Sequence, residues 1–353
     1  MKKSVIAIVA AAAVAALGLP VFSGCSASVG YVLKKDGDGN SYYSVAVSGS
    51  KLAMDGEVVI PPEYEGLPVK EIEANAFSNT TVSKVTIPAS VETIGAAAFA
   101  YNNALREVVF EEGAVIDEIA WGMFANCSHL EKINIPDSVK VIDGLSFYGC
   151  SGLAGIGFPA GLEKINMAAF QDCVGLTELE LPQKLISIGG MAFYGCTSLK
   201  SVILPDSMHP VTSPKLDSDG NEVKDDKGQT ITETTPALGV ISFFGCSSLE
   251  LAVIGSGITT IEAGTFGNCS SLAEIYLPVS LNAVGGMYSA GTTLYGHAFY
   301  NVSHLTVHYA GTAEQWNVLK NNIDSSSVSY RDAISDNSAL LNAEVVYESA
   351  YPG

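Results

Sequence analysis

Apolar positions along this chain recur in fixed columns, neither at the helical period nor in simple alternation. Nine phenylalanines set the register: Phe77, Phe99, Phe124, Phe147, Phe170, Phe193, Phe243, Phe266 and Phe299. Five positions earlier stands an aliphatic residue, such as Ile94, Ile119, Ile142, Ile165, Ile188 or Ile261, with Leu238 and Leu294 taking that place late in the chain. Six positions later stands leucine, from Leu105 through Leu130, Leu153, Leu176, Leu199, Leu249 and Leu272 to Leu305. Further apolar columns follow at nine and eleven, as in Ile133 and Ile135, and proline often closes the segment, as at Pro136, Pro182, Pro205 and Pro278.

The closing pair of the L-x-x-I-x-I-P segment alternates at period two, which predicts a short strand, and the proline ends its ladder. Phe124, Phe147, Phe170 and Phe193 lie 23 residues apart. A fixed period of that length means one supersecondary unit stacked on itself, because a single coil cannot bury its own apolar columns. The predicted fold is a repeat solenoid with a parallel β-sheet, about nine coils and little helix.

Segments such as Leu130-Glu-Lys-Ile-Asn-Ile-Pro136, Val139-Lys-Val-Ile142 and Phe147-Tyr-Gly-Cys150 resemble the BspA-like, Treponema-type leucine-rich repeats of bacterial surface proteins. Glu57–Val69 looks like the entry to such an array and Tyr309–Trp316 like its exit. The resemblance implies that the solenoid is a curved leucine-rich-repeat array, and that the protein is non-enzymatic and displayed at the cell surface, in a family discussed as adhesins.

Four segments are expected. Residues 1–24 form an export leader, and 25–56 a linker and N-terminal β cap. Residues 57–310 are the repeats. Residues 311–353 form a C-terminal cap, with a short helix from Thr312 and a last strand at Ala343–Tyr347. Two coils are stretched by insertions at about 208–236 and 283–293, expected to leave from one edge, which often marks a solenoid's binding face. The longer is expected to be a hairpin turning at Asp219-Gly220 or Lys227-Gly228.

Strand positions eight and ten after each phenylalanine should face outward. Early coils place Lys132, Asn134, Glu178 and Glu180 there; later ones place Ile203, Leu251, Val253, Tyr276, Val307 and Tyr309. This apolar stripe is the candidate ligand surface, since contiguous exposed apolar area marks a partner. The competing reading is that an insertion or the C-terminal tail buries it. The expected partner is an extracellular protein or glycan. The alternative is a structural envelope lipoprotein without a specific ligand.

Charge narrows the partner. The chain carries 18 Lys and Arg against 37 Asp and Glu, net −19, and loss of the two leader lysines makes it −21. Nucleic acid is excluded as a partner on that balance. Lys2 and Lys3 precede the apolar run Val5–Phe22, and Phe22-Ser23-Gly24-Cys25 resembles a lipobox with Cys25 as the lipid attachment point. An ordinary signal peptide with an incidental cysteine is the other reading. On the first, the protein is exported and lipid-anchored at the bacterial surface, touching membrane only through that lipid.

The other six cysteines, Cys127, Cys150, Cys173, Cys196, Cys246 and Cys269, each follow a repeat phenylalanine by three. Equivalent residues in stacked coils lie about 4.8 Å apart, beyond the roughly 3.5–4.5 Å between Cβ atoms that a disulfide wants. Asn102, Thr80 and Val302 hold the same position in other coils, which no obligatory bridge allows. A ladder of free structural thiols is expected, and no zinc site, because a line of sulfurs does not converge tetrahedrally. Asp36–Asn40 and Asp217–Asn221 open like calcium loops but lack the glutamate at position twelve and read as turns. No catalytic residues, metal or cofactor are expected.

Overall fold

The computed structural model describes residues 28–48, 55–215, 222–225, 227–285, 288–290, 293–326, 328–330 and 333–352. The leader, Cys25 and Asp217–Asn221 lie outside them. The chain is a β-solenoid with about one turn per repeat phenylalanine and very little helix. It divides into two compact units. The first comprises residues up to 162 with 166–179 and 196–198; the second comprises 163–165, 180–195 and residues from 199 on.

Most coils have a short strand, a phenylalanine turn and a second strand; in the Phe243 coil an isolated bridge from Leu238 to Ile188 stands where the short strand would be. The short strand carries the aliphatic column: Thr93–Ile94, Glu118–Ile119 and Val141–Ile142 in the first unit, Lys164–Ile165, Ser187–Ile188, Thr260–Ile261 and Ala283–Val284 in the second. These two-residue strands pair in parallel, as Val141 with Glu118 and Thr260 with Ala283. The second strand is the expected L-x-x-I-x-I segment, seen at Thr81–Ile87, Glu107–Phe110 and Lys132–Ile133 in the first unit. The coils at Leu153–Pro159 and Leu176–Pro182 have no strand there. In the first, Gly155 and Gly157 occupy alternate positions, and glycine weakens a strand by offering no side chain to pack; the second keeps its leucines and has no such cause.

The phenylalanine turn is where coils lock together. The Phe77 N–H donates to the Ala98 carbonyl at 2.7 Å, Phe99 to Met123 at 3.0 Å and Phe124 to Ser146 at 2.8 Å. In the second unit Phe193 donates to Ser242 at 2.8 Å and Phe243 to Thr265 at 3.0 Å. The rings, all buried, stack with centroids 5.0 Å apart for Phe147–Phe170 and 5.9 Å for Phe243–Phe266. In every turn but that of Phe299, two residues adopt left-handed backbone, one two before the phenylalanine and one two after; the Phe299 turn has only the later one, Asn301. The later position holds Asn126, Gly149, Asp172, Gly195, Gly245 and Asn268, all at positive φ. Asn, Asp and Gly tolerate that region best. The earlier one holds Leu145, Met191 and Ile241, which do so only under strain.

At the amino end, Ser28–Lys35 and Ser41–Ser48 form an antiparallel hairpin whose second strand runs parallel to Leu67–Ile72. Asp36 Oδ1 accepts the backbone N–H groups of Asp38 and Asn40, so this carboxylate closes the turn. At the carboxyl end, Ala313–Lys320 is a helix with a capping box between Thr312 and Gln315. Trp316 is buried, its ring 5.4 Å from Tyr309. Glu344–Tyr347 is the last strand, parallel to Thr306–Tyr309.

Candidate functional site

The second unit contains a five-stranded parallel sheet in the order Ser201–Ile203, Leu251–Val253, Glu274–Leu277, Thr306–Tyr309 and Glu344–Tyr347. The pairing aligns Ile203 with Val253, Val253 with Tyr276, Tyr276 with His308, and His308 with Val346. Residues paired in a parallel ladder point to the same face, so these five form one row. Ile203 is 43% exposed and Val346 40%. Val253 and Tyr276 are half-buried, as is Leu251 in the neighbouring outward row.

Val307 and Tyr309 do not belong to this face. They are 0% and 2% exposed and point into the core, paired with Ile275 and Leu277. The reason is a missing residue. Leu272 and Ile275 are three apart, whereas Leu305 and Val307 are two apart. A one-residue slip sends every side chain to the opposite face, so His308 takes the outward place and Val307 and Tyr309 the inward one.

His308 links the sheet to the C-terminal tail. Its ring stacks on Tyr276 at 4.2 Å with a 6° interplanar angle. Its Nε2 lies 3.6 Å from Glu274 Oε2 and its Nδ1 3.2 Å from Ser349 Oγ. The Ser349 N–H donates to the Tyr309 carbonyl at 3.1 Å, and Tyr351 meets Tyr276 edge-on at 5.1 Å. The tail therefore covers the middle of the row and leaves Ile203 and Val346 open to solvent.

The insertions leave from different places. The first comes before the aliphatic column, where Leu238 bridges Ile188, and contains the antiparallel pair Val211–Pro214 and Thr232–Thr235. Asp225 Oδ1 closes its turn by accepting the N–H groups of Lys227 and Gln229, with Gly228 at φ 77°. The second comes after a short strand, because Val284, buried and paired with Ile261, fills the aliphatic column. Leu294, expected in that column, lies instead in the hairpin Tyr288–Ala290 with Thr293–Tyr295. The single-edge expectation fails on that account.

The six cysteines are free and fully buried. Each thiol donates to the phenylalanine carbonyl of the coil before it: Cys127 to Phe99 at 3.1 Å, Cys173 to Phe147 at 3.1 Å, Cys246 to Phe193 at 3.3 Å and Cys269 to Phe243 at 3.2 Å. Asn102 does the same through Nδ2, 2.8 Å from the Phe77 carbonyl. Burial pushes the Cys127 thiol up to about 12 and the thiols of Cys150 and Cys173 well above their ordinary value. These thiols stay protonated at neutral pH and are not nucleophiles.

Two features had no sequence signal of their own. Trp121 is 44% exposed and its ring lies across Gly144 in the first unit, where an added Cβ would stand 2.3 Å from it. Buried His297 has Nδ1 2.9 Å from Ser335 Oγ and Nε2 3.0 Å from Ser326 Oγ. Asp324 Oδ2 lies 3.8 Å from that same Nε2. A nucleophilic triad needs serine and acid on opposite ring nitrogens. Ser335 and Asp324 do stand on opposite ring nitrogens, but Asp324 is beyond hydrogen-bond reach and Ser335 is 0% exposed and closed to a substrate, while Ser326 shares its nitrogen with Asp324. The cluster ties Asp324, Ser326 and Ser335 to the last coil. Among the described residues no group of three or more His, Cys, Asp or Glu is placed to hold a metal.

The model of the BspA type leucine-rich repeat region matches residues 70–200 and 227–309, in six copies. Among solved structures, a leucine-rich repeat protein from Bacteroides ovatus aligns at 23% identity with a TM-score of 0.50, covering 69% of this chain and 56% of that one. This chain thus spans little more than half the length of that relative. A leucine-rich cell surface protein from Faecalibacterium prausnitzii aligns at 19% identity and TM-score 0.39, covering 82% and 95%. The Treponema pallidum leucine-rich repeat protein aligns at 22% and 0.31, covering 69% and 78%. No curated protein matches the chain.

Proposed function

Because this chain belongs to the BspA-type leucine-rich repeat family, we propose that it is a non-enzymatic recognition protein, lipid-anchored through Cys25 at the bacterial surface. Its partner is an extracellular protein or glycan, bound through the outward face of the five-stranded sheet. The observation that carries this reading is the in-register row Ile203, Val253, Tyr276, His308 and Val346, apolar and part-exposed where other coils present charge. A contiguous row of that kind is costly to leave in water. The cell-surface description of the Faecalibacterium relative accords with surface display.

A second reading, a structural envelope lipoprotein without a ligand, draws on Tyr351 and Ser349, which cover part of the row. An array of glycans and extracellular-matrix proteins separates the two. The mature chain should bind one or more spots, and the Val253→Lys, Tyr276→Lys double variant should lose them while keeping its circular dichroism. Retained binding by the folded variant sinks the site; no binding by the parent favours the structural reading.

A further inference from the structure

The charges beside the apolar row are of one dominant sign. The outward row next to it, two residues earlier on each strand, holds Ser201, Leu251, Glu274, Thr306 and Glu344. Glu274 and Glu344 lie two strands apart, about 10 Å at the usual strand spacing. Glu250, exposed, precedes Leu251 and adds a third carboxylate. Lys200 stands next to the first strand, and His308 is engaged by Glu274 and Ser349. The tail that crosses the face, Glu348–Pro352, brings a further carboxylate and no Lys or Arg.

From this charge pattern we infer that the sheet takes a polypeptide segment whose apolar side chains lie along the row and whose Lys or Arg side chains meet Glu274 and Glu344. The inference rests on the recognition reading above and names the chemistry of the partner. Five strands give the row a length of about 19 Å. Cations three residues apart in a polyproline-II segment share one edge and are separated by about 9 Å, which matches the two carboxylates. An acidic partner brings like charges together and is rejected. Tyr351 of the tail meets Tyr276 edge-on, and the incoming segment displaces it.

Two fluorescein-labelled peptides of about twelve residues test this against the mature chain by anisotropy. Both carry leucine or valine at every third position; one has a lysine directly after each, so that the lysines are three apart, and the other has glutamates at the same places. The lysine peptide should bind at least about tenfold tighter, and its binding should weaken as salt screens the carboxylates. Glu274→Gln with Glu344→Gln should remove most of that preference. If the double variant binds the lysine peptide unchanged, the attraction belongs to the acidic chain as a whole and the inference fails. Equal binding of both peptides, abolished by Val253→Lys, overturns the charge inference and leaves the row as a binding surface. If neither peptide binds, the inference fails whatever the array shows.

Discussion

The Cys150 thiol donates to the Phe124 carbonyl at 3.2 Å, across the boundary between two coils. The same carbonyl accepts the Cys127 N–H of its own coil at 3.1 Å. Sulfur and amide together saturate an oxygen buried at the centre of the turn. Cys150→Ala removes one donor and leaves a small void. It should cost about 1–3 kcal/mol by urea unfolding. An unchanged midpoint would show that the thiol contributes packing at most.

Thiol chemistry follows from the same burial. At pH 7–8 the folded mature chain, its Cys25 lipidated, should react negligibly with a thiol reagent, and denatured without reductant it should release the six ladder thiols. Fewer than six would reveal pairing in the ladder. The pH dependence has a definite sign. The Cys127 value rises from 9.0 to about 12 on folding, so between those values the unfolded chain has lost protons that the folded one keeps. Stability is full below about pH 9 and falls as pH climbs toward 12. A melting temperature flat from pH 8 to 11 would contradict this.

Asn126, at φ 59°, sits where side chains with a branched Cβ fit worst. Asn126→Gly should be neutral within about 0.5 kcal/mol, whereas Asn126→Val should destabilise by about 1–2 kcal/mol. Equal effects of the two, measured by thermal unfolding, would mean that backbone conformation is not the constraint at this turn.

Trp121 reports on Gly144. A Cβ at position 144 would meet the indole at 2.3 Å, so Gly144→Ala must move the ring. Trp316 is buried and Trp121 exposed. The variant should therefore red-shift the exposed component of the emission and raise its quenching by iodide, with the buried component unchanged. Identical quenching would place the ring elsewhere.

The solenoid was legible because its columns repeat: a reader who aligns Phe124, Phe147 and Phe170 also aligns the coils. The features missed are those that break the period. Thr93–Ile94 and its equivalents are too short to show a period, so a set of parallel pairings went unread. Leu294 stands five before Phe299 and Val284 fifteen before it, and spacing alone favoured the wrong one. Leu305-Thr-Val307 lost one residue, which turned Val307 and Tyr309 inward and His308 outward. The candidate surface was legible in its first four members, whose coils keep the spacing, and misread where the spacing changed. The tail contact of Tyr351 depends on a long-range approach that no local pattern encodes.

Both functional proposals require Tyr276 to face solvent while Tyr309, on the next strand, faces the core. Thermal unfolding of Tyr276→Lys and Tyr309→Lys, measured side by side, tests this most directly. Tyr276→Lys should cost under about 1 kcal/mol, since its ammonium reaches water, and Tyr309→Lys about 4 kcal/mol or more, since it buries a charge without a partner. Equal losses, or the larger loss at Tyr276, would contradict the register and the surface built on it.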